Sequence, residues 1–120
     1  MGMNVGFSDD KIRSLLSDKS KFTKQFGPKA YRGLQNLLFE LQTADSMFEF
    51  WPEYSGIRRC HELKNKNHRD FRNHFSFRIF EKVRLIARPE QEWIDANPAT
   101  RTWSDVRSIT IVYVGDYHDD

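Results

Sequence analysis

The fold turns on one stretch, His74–Arg88, which reads HFSFRIFEKVRLIAR. Side chains alternate across a strand, so each half of this stretch splits into two faces. Phe75, Phe77 and Ile79 share one face of the first half, and Val83, Leu85 and Ala87 share one face of the second. Both apolar sets meet a single core only if Ile79 stands opposite Val83 and Phe77 opposite Leu85. The connecting loop is then Phe80-Glu81-Lys82, a short hairpin turn. The same register puts Arg78 opposite Arg84, and His74 opposite Arg88, on the other face. Facing like charges weaken a sheet, and a phosphate between two guanidinium groups turns that repulsion into a clamp. The plain alternatives are arginines splayed into solvent, or one of them neutralised by Glu62 or Glu81.

Outward from the hairpin, Ile57–Leu63 and Val106–Gly115 are two further strand candidates, rich in β-branched and aromatic residues. Met3–Phe7 is a weaker one. The N-terminal half has helical signals. Ser8, followed by Asp9 and Asp10, is an N-cap with acids in the first turn, leading into Ile12, Leu15 and Leu16. Gly27-Pro28 opens a longer helix whose Leu34, Leu37, Leu38 and Leu41 form one apolar stripe. Ala44–Trp51 makes a short apolar turn stopped by Pro52. Helices first and strands afterwards predict an α+β domain, with the helices on one face of a mostly antiparallel, roughly four-stranded sheet. Pro89–Asp105 is long for a simple connection and is expected to carry a short helix or an inserted lobe.

At 120 residues the chain is expected to form a single domain over 1–120. Its 38% hydrophobic residues exclude a disordered chain, and its apolar runs are too short to span a bilayer. Met1–Asp10 lacks the pattern of a signal peptide. The lone cysteine, Cys60, excludes an internal disulfide framework and points to a reducing, cytoplasmic setting. The net charge of +2 hides a segregation. Arg58–Arg84 holds nine Lys/Arg against three Asp/Glu, while the rest of the chain holds ten against fourteen. His61, His68 and His74 fall in the same basic span. Such a distribution is the footprint of a polyanion-binding face, with a solvated charged surface as the alternative.

Three features near that face carry chemistry. His61 and Lys64 stand three residues apart, Lys64–Asn73 is a basic loop, and Asp116-Tyr117-His118 follows the last strand. RNA cleavage by its own 2′-hydroxyl needs a base, cations for the phosphate and an acid for the leaving oxygen. Histidine suits the proton transfers, and Lys and Arg the charge. No metal or other cofactor is required, and Cys60-His61 lacks the spacing of a zinc knuckle. No Gly-rich phosphate loop or serine nucleophile motif is present. Phe71 and Trp103 have rings suited to base stacking, although core packing is the commoner use.

The order of the Leu-rich helix, Leu41-x-x-Ala44-x-Ser46, His61-Glu62-Leu63-Lys64, Val83-Arg84-Leu85-Ile86 and a closing Asp116-Tyr117-His118 resembles the RelE/ParE superfamily of bacterial toxins, with HigB-type toxins the nearest likeness. The resemblance runs over roughly residues 10–118. It implies a microbial-RNase-like fold and ribosome-dependent cleavage of messenger RNA. It also implies inhibition by a small HigA-like helix-turn-helix antitoxin. On this reading His61, Lys64, Arg84, Asp116, Tyr117 and His118 are the catalytic candidates. His118 and Tyr117 would transfer protons, Lys64 and Arg84 would meet phosphate charge, and Asp116 would orient its neighbours. Arg59, Lys66, Arg69, Arg72, His74, Arg78 and Arg88 are the candidate RNA contacts. The chain departs from the pattern at Asn65, where a glycine is usual, and at His74, where an arginine is usual. Its 64–73 loop and 89–105 connection are also longer. A ParE-like inhibitor of DNA gyrase, or a non-catalytic RNA- or partner-binding domain, are the alternatives.

Overall fold

The computed structural model describes residues 2–64 and 70–117. Three helices follow a short first strand: β1 (Asn4–Phe7), α1 (Asp10–Ser17), α2 (Lys19–Phe26) and α3 (Pro28–Thr43). The cap of α1 is Asp9 rather than the expected Ser8, its carboxylate accepting from the Ile12 N–H at 2.9 Å. Helix α2 was not foreseen. Asp18 caps it by accepting from the Lys21 N–H at 3.0 Å, and Phe22 and Phe26, one turn apart, pack together at 4.8 Å. Helix α3 begins on Pro28 as expected, and Leu34, Leu37 and Leu41 are wholly buried. Its Gly33 lets the helix lie directly on the sheet, since a Cβ there would come within 2.4 Å of the Ile79 carbonyl oxygen.

The remaining strands are β2 (His61–Glu62), β3 (Phe75–Phe80), β4 (Val83–Pro89) and β5 (Ser108–Asp116). They make a five-stranded sheet in the order β1-β5-β4-β3-β2, with β1 parallel to β5 and the other pairs antiparallel. The α+β class stands as predicted, and the fifth strand is the addition. The first of the expected strands shrinks to two residues. Residues 52–60 wind instead into turns closed by the Tyr54 N–H on the Cys60 carbonyl (2.9 Å), leaving Ile57 73% exposed. Positive φ at Tyr54, Gly56 and Arg59 turns the chain away from pairing.

The hairpin register is that read from alternation at its centre, with Phe77 opposite Leu85 and Arg78 opposite Arg84. It fails at the turn. A bulge after Arg78 pairs Phe80, not Ile79, with Val83, so the loop is only Glu81-Lys82, with Glu81 at φ 49°. Phe75, Phe77, Ile79, Leu85, Ala87, Ile109 and Ile111 join the helical leucines in one core. The connection after β4 carries a short helix, α4 (Gln91–Asp95), and a 3₁₀ turn at Trp103–Asp105. Trp93 and Trp103 both pack on Phe75, at 5.4 and 4.9 Å. Among the described residues no helix is long and apolar enough to cross a membrane.

Candidate nucleic-acid interface

Opposite the helices, cross-strand pairing arranges the side chains in rows. One row runs His61, Ser76, Ile86, Tyr113, and the next runs Arg78, Arg84, Gly115. The two arginines are therefore cross-strand neighbours on the helix-free face, close to the hairpin turn. Glu62 does not neutralise them. It lies on the other side of β2, where its carboxylate accepts from the Arg101 guanidinium at 2.8 Å. Arg84 turns back over the hairpin, its Nη1 donating to the Glu81 and Val83 carbonyls. These bonds tie the guanidinium back to the turn.

An aromatic cluster closes over the same face. Phe71 packs against His74 at 5.8 Å and against both Tyr113 and Tyr117 at 5.6 Å, while the two tyrosines lie 5.9 Å apart. Sequence alone favoured core packing for Phe71, and it is placed instead on the open face. Tyr113 was not singled out at all. Its ring folds over Gly115, the cross-strand partner of Arg84, where a Cβ would come within 2.7 Å of the phenol oxygen. A tyrosine two residues before a glycine, on a strand facing a basic hairpin, was the available signal.

His74 stands at the far margin of this cluster. Its Nδ1 donates to the Arg72 carbonyl at 3.0 Å, which leaves the acceptor lone pair of the neutral ring on Nε2. Burial pushes its pKa below the usual 6.5, and the charge of Arg88 adds to this, against the Arg72 hydrogen bond. The ring is therefore neutral, and competent to accept a proton, at neutral pH.

The other candidates divide. Asp116 is exposed at the end of β5 opposite Val83, and its carbonyl accepts from the Tyr113 hydroxyl at 3.5 Å. His61 is 5% exposed and stacked on the Tyr54 ring at 4.3 Å. Lys64 follows β2 at the sheet edge, where the chain meets the Asn73 turn. It pairs there with Glu53 at 3.3 Å. Arg59 curls over Tyr54, its guanidinium 5.6 Å from the ring centre and donating to the Tyr54 carbonyl. Arg88 and Arg72 are exposed. Lys66, Arg69 and His118 lie outside the described residues. The basic count between Arg58 and Arg84 is thus not one surface. Arg58 is buried in a two-pronged pair with Glu40, both contacts at 2.9 Å.

Cys60 is buried, and that burial, with Glu53 second, pushes its thiol well above its usual pKa, so it is no nucleophile. Among the described residues no group of three or more His, Cys, Asp or Glu is gathered as metal ligands would be.

The architecture, helices on one side of the sheet and a basic, aromatic face on the other, is the RelE-like α+β fold. A chain from the heterotetrameric YoeB–YefM toxin–antitoxin complex of Staphylococcus aureus is similar over 98% of this chain and 99% of its own, with TM-score 0.50 and 18% identity. Another structure of the YoeB–YefM complex from that organism gives TM-score 0.49 at the same identity and coverage. At this identity the likeness is one of fold. No protein-family model and no curated protein matches the sequence.

Proposed function

We propose that this chain is a one-domain, cytoplasmic toxin of a toxin–antitoxin pair, of the HigB type within the RelE/ParE superfamily, and that it is an endoribonuclease cleaving messenger RNA on the ribosome. The observation that carries the proposal is the Arg78–Arg84 pair on the helix-free face, which also carries the Phe71, Tyr113 and Tyr117 rings. Guanidinium groups suit a phosphodiester, and the rings suit its bases. The RelE-like fold supports the same reading.

In this mechanism the RNA's 2′-oxygen attacks the adjacent phosphorus as a base takes its proton. The bond to the 5′-oxygen breaks as an acid protonates it, leaving a cyclic phosphate and a free 5′-hydroxyl. Arg84 and Arg78 balance the charge that builds on the phosphoryl oxygens. Tyr117 and His118 carry the proton transfers, with neutral His74 a further acceptor on the same face. Asp116 orients its neighbours, and Lys64, Arg72 and Arg88 hold flanking phosphates. Arg59, Lys66 and Arg69 complete the RNA contacts, and His61 backs the edge strand. The cognate inhibitor is a small HigA-like helix-turn-helix antitoxin covering this face.

Expression of the wild-type chain in bacteria is expected to arrest growth, and Arg84→Ala to relieve the arrest with a loss of about 100-fold or more in cleavage rate. A harmless wild-type chain overturns the proposal. Mapped transcript ends should fall in frame within translated messages; DNA damage without such ends would indicate a gyrase poison instead.

A further inference from the structure

On the helix side of the sheet edge lies a cavity of about 630 Å³, away from the arginine row. This is within the range of small-ligand sites, roughly 300–1,000 Å³. All three tryptophans of the chain, Trp51, Trp93 and Trp103, line it, with Phe48 beside them. Trp51 and Phe48 are 50% and 55% exposed, so the cavity mouth presents a patch of apolar ring surface. Trp51 meets Trp103 at 5.2 Å with the two rings near perpendicular. Trp93 is already covered by the Arg101 guanidinium at 4.1 Å.

The polar part of the lining is selective. Arg101 is spent internally: Nη1 on the Trp93 and Ile94 carbonyls, Nη2 on Glu62 and Asn73. Glu53 keeps acceptor capacity beyond the Glu62 N–H and Lys64. Lys64 and Arg72 stand exposed at the rim. Aromatic faces, a carboxylate acceptor and cations at the mouth match a planar heterocycle with N–H edges tied to phosphate. Arg72 and Asn73 line the cavity, and Phe71, next in the chain, belongs to the aromatic cluster of the other face.

We propose that this pocket takes one unpaired nucleobase of the RNA held on the open face, stacked on Trp51, with its flanking phosphate on Lys64 and Arg72. This rests on the nuclease reading for the identity of the RNA, and its test is independent of cleavage. Because every tryptophan lines the cavity, intrinsic fluorescence reports occupancy. Titration of the full chain with 5′-phosphorylated triadenylate should quench it saturably. A trimer with an abasic centre, and Trp51→Ala, should each weaken binding about tenfold, while Trp51→Phe retains most of the affinity. Adenosine monophosphate should bind more weakly than the trimer; equal affinity would overturn the assignment to RNA. Trp51 is half exposed, so Trp51→Ala is expected to fold, with circular dichroism as the check. No quenching, equal quenching by the abasic trimer, or quenching by a partner protein but not by the trimer would each overturn the proposal. A chain that fails to arrest growth yet shows base-dependent quenching keeps the pocket and loses the nuclease. Growth arrest with no quenching does the reverse.

Discussion

Arg78 and Arg84 face each other at neighbouring positions of an antiparallel pair, an arrangement that costs a sheet stability unless something anionic intervenes. The hairpin carbonyls of Glu81 and Val83 accept from the Arg84 guanidinium and tie it to the turn. His74 brings a second electrostatic constraint. Its pKa lies below 6.5, chiefly through burial, so the unfolded chain binds a proton more readily than the folded one between 6.5 and that lower value. The stability it contributes is therefore complete above about pH 6.5 and is lost as pH falls through the window toward the folded pKa. Urea unfolding at pH 7.5 and 5.5 should show a larger loss on acidification for the wild type than for His74→Gln. Equal losses would mean that the ring does not titrate differently on folding. Much of this was legible in residues 74–88, because alternation places charges by parity alone. The turn-side bulge was not legible, since it is set by how Phe80 and Val83 reach the core.

The elements differ in how they are tied down. Helix α3 follows from a leucine stripe and a proline start, which local periodicity reports directly. The connection 89–105 is held differently, by one buried ion pair. The Arg101 and Glu62 side chains are 7% and 6% exposed, and the guanidinium gathers the ends of α4 as well. Burial pushes the Glu62 pKa up despite the arginine's opposing effect, a sign that the carboxylate's lost hydration outweighs the attraction. Removing one partner leaves the other's buried charge without its hydrogen-bonded counterpart. Arg101→Met should therefore destabilise the protein by about 3–5 kcal/mol, read as a lower denaturant midpoint. Loosening of Trp93 and Trp103 should appear as a red shift of their emission. An unchanged midpoint would show that the connection is anchored by its tryptophans alone.

For the molecule as a whole, the number of usable cations matters more than the number present. Arg58 is buried against Glu40, whereas Arg78, Arg84 and Arg88 share the helix-free face. Phosphate contacts by these three arginines alone give a slope of about −2 for the logarithm of RNA affinity against that of salt concentration, Lys64 and Arg72 steepening it, and Arg84→Ala should flatten it by about 0.7. Filter binding between 50 and 200 mM salt would measure it; a slope near zero would remove phosphate recognition from this face. The sequence by itself determined the centre of the hairpin, the α+β class, helix α3 and the facing arginines, because each depends on periodicity within a few residues. The tertiary structure alone decided that β1 joins β5 in parallel, which cations turn inward, and that Tyr113 folds over Gly115 beside Arg84. It also built the tryptophan cavity from segments around residues 48–53, 62–64, 72–73 and 93–103. Contacts between segments so far apart in the chain leave no trace in local pattern; they are selected by the packing of the whole core.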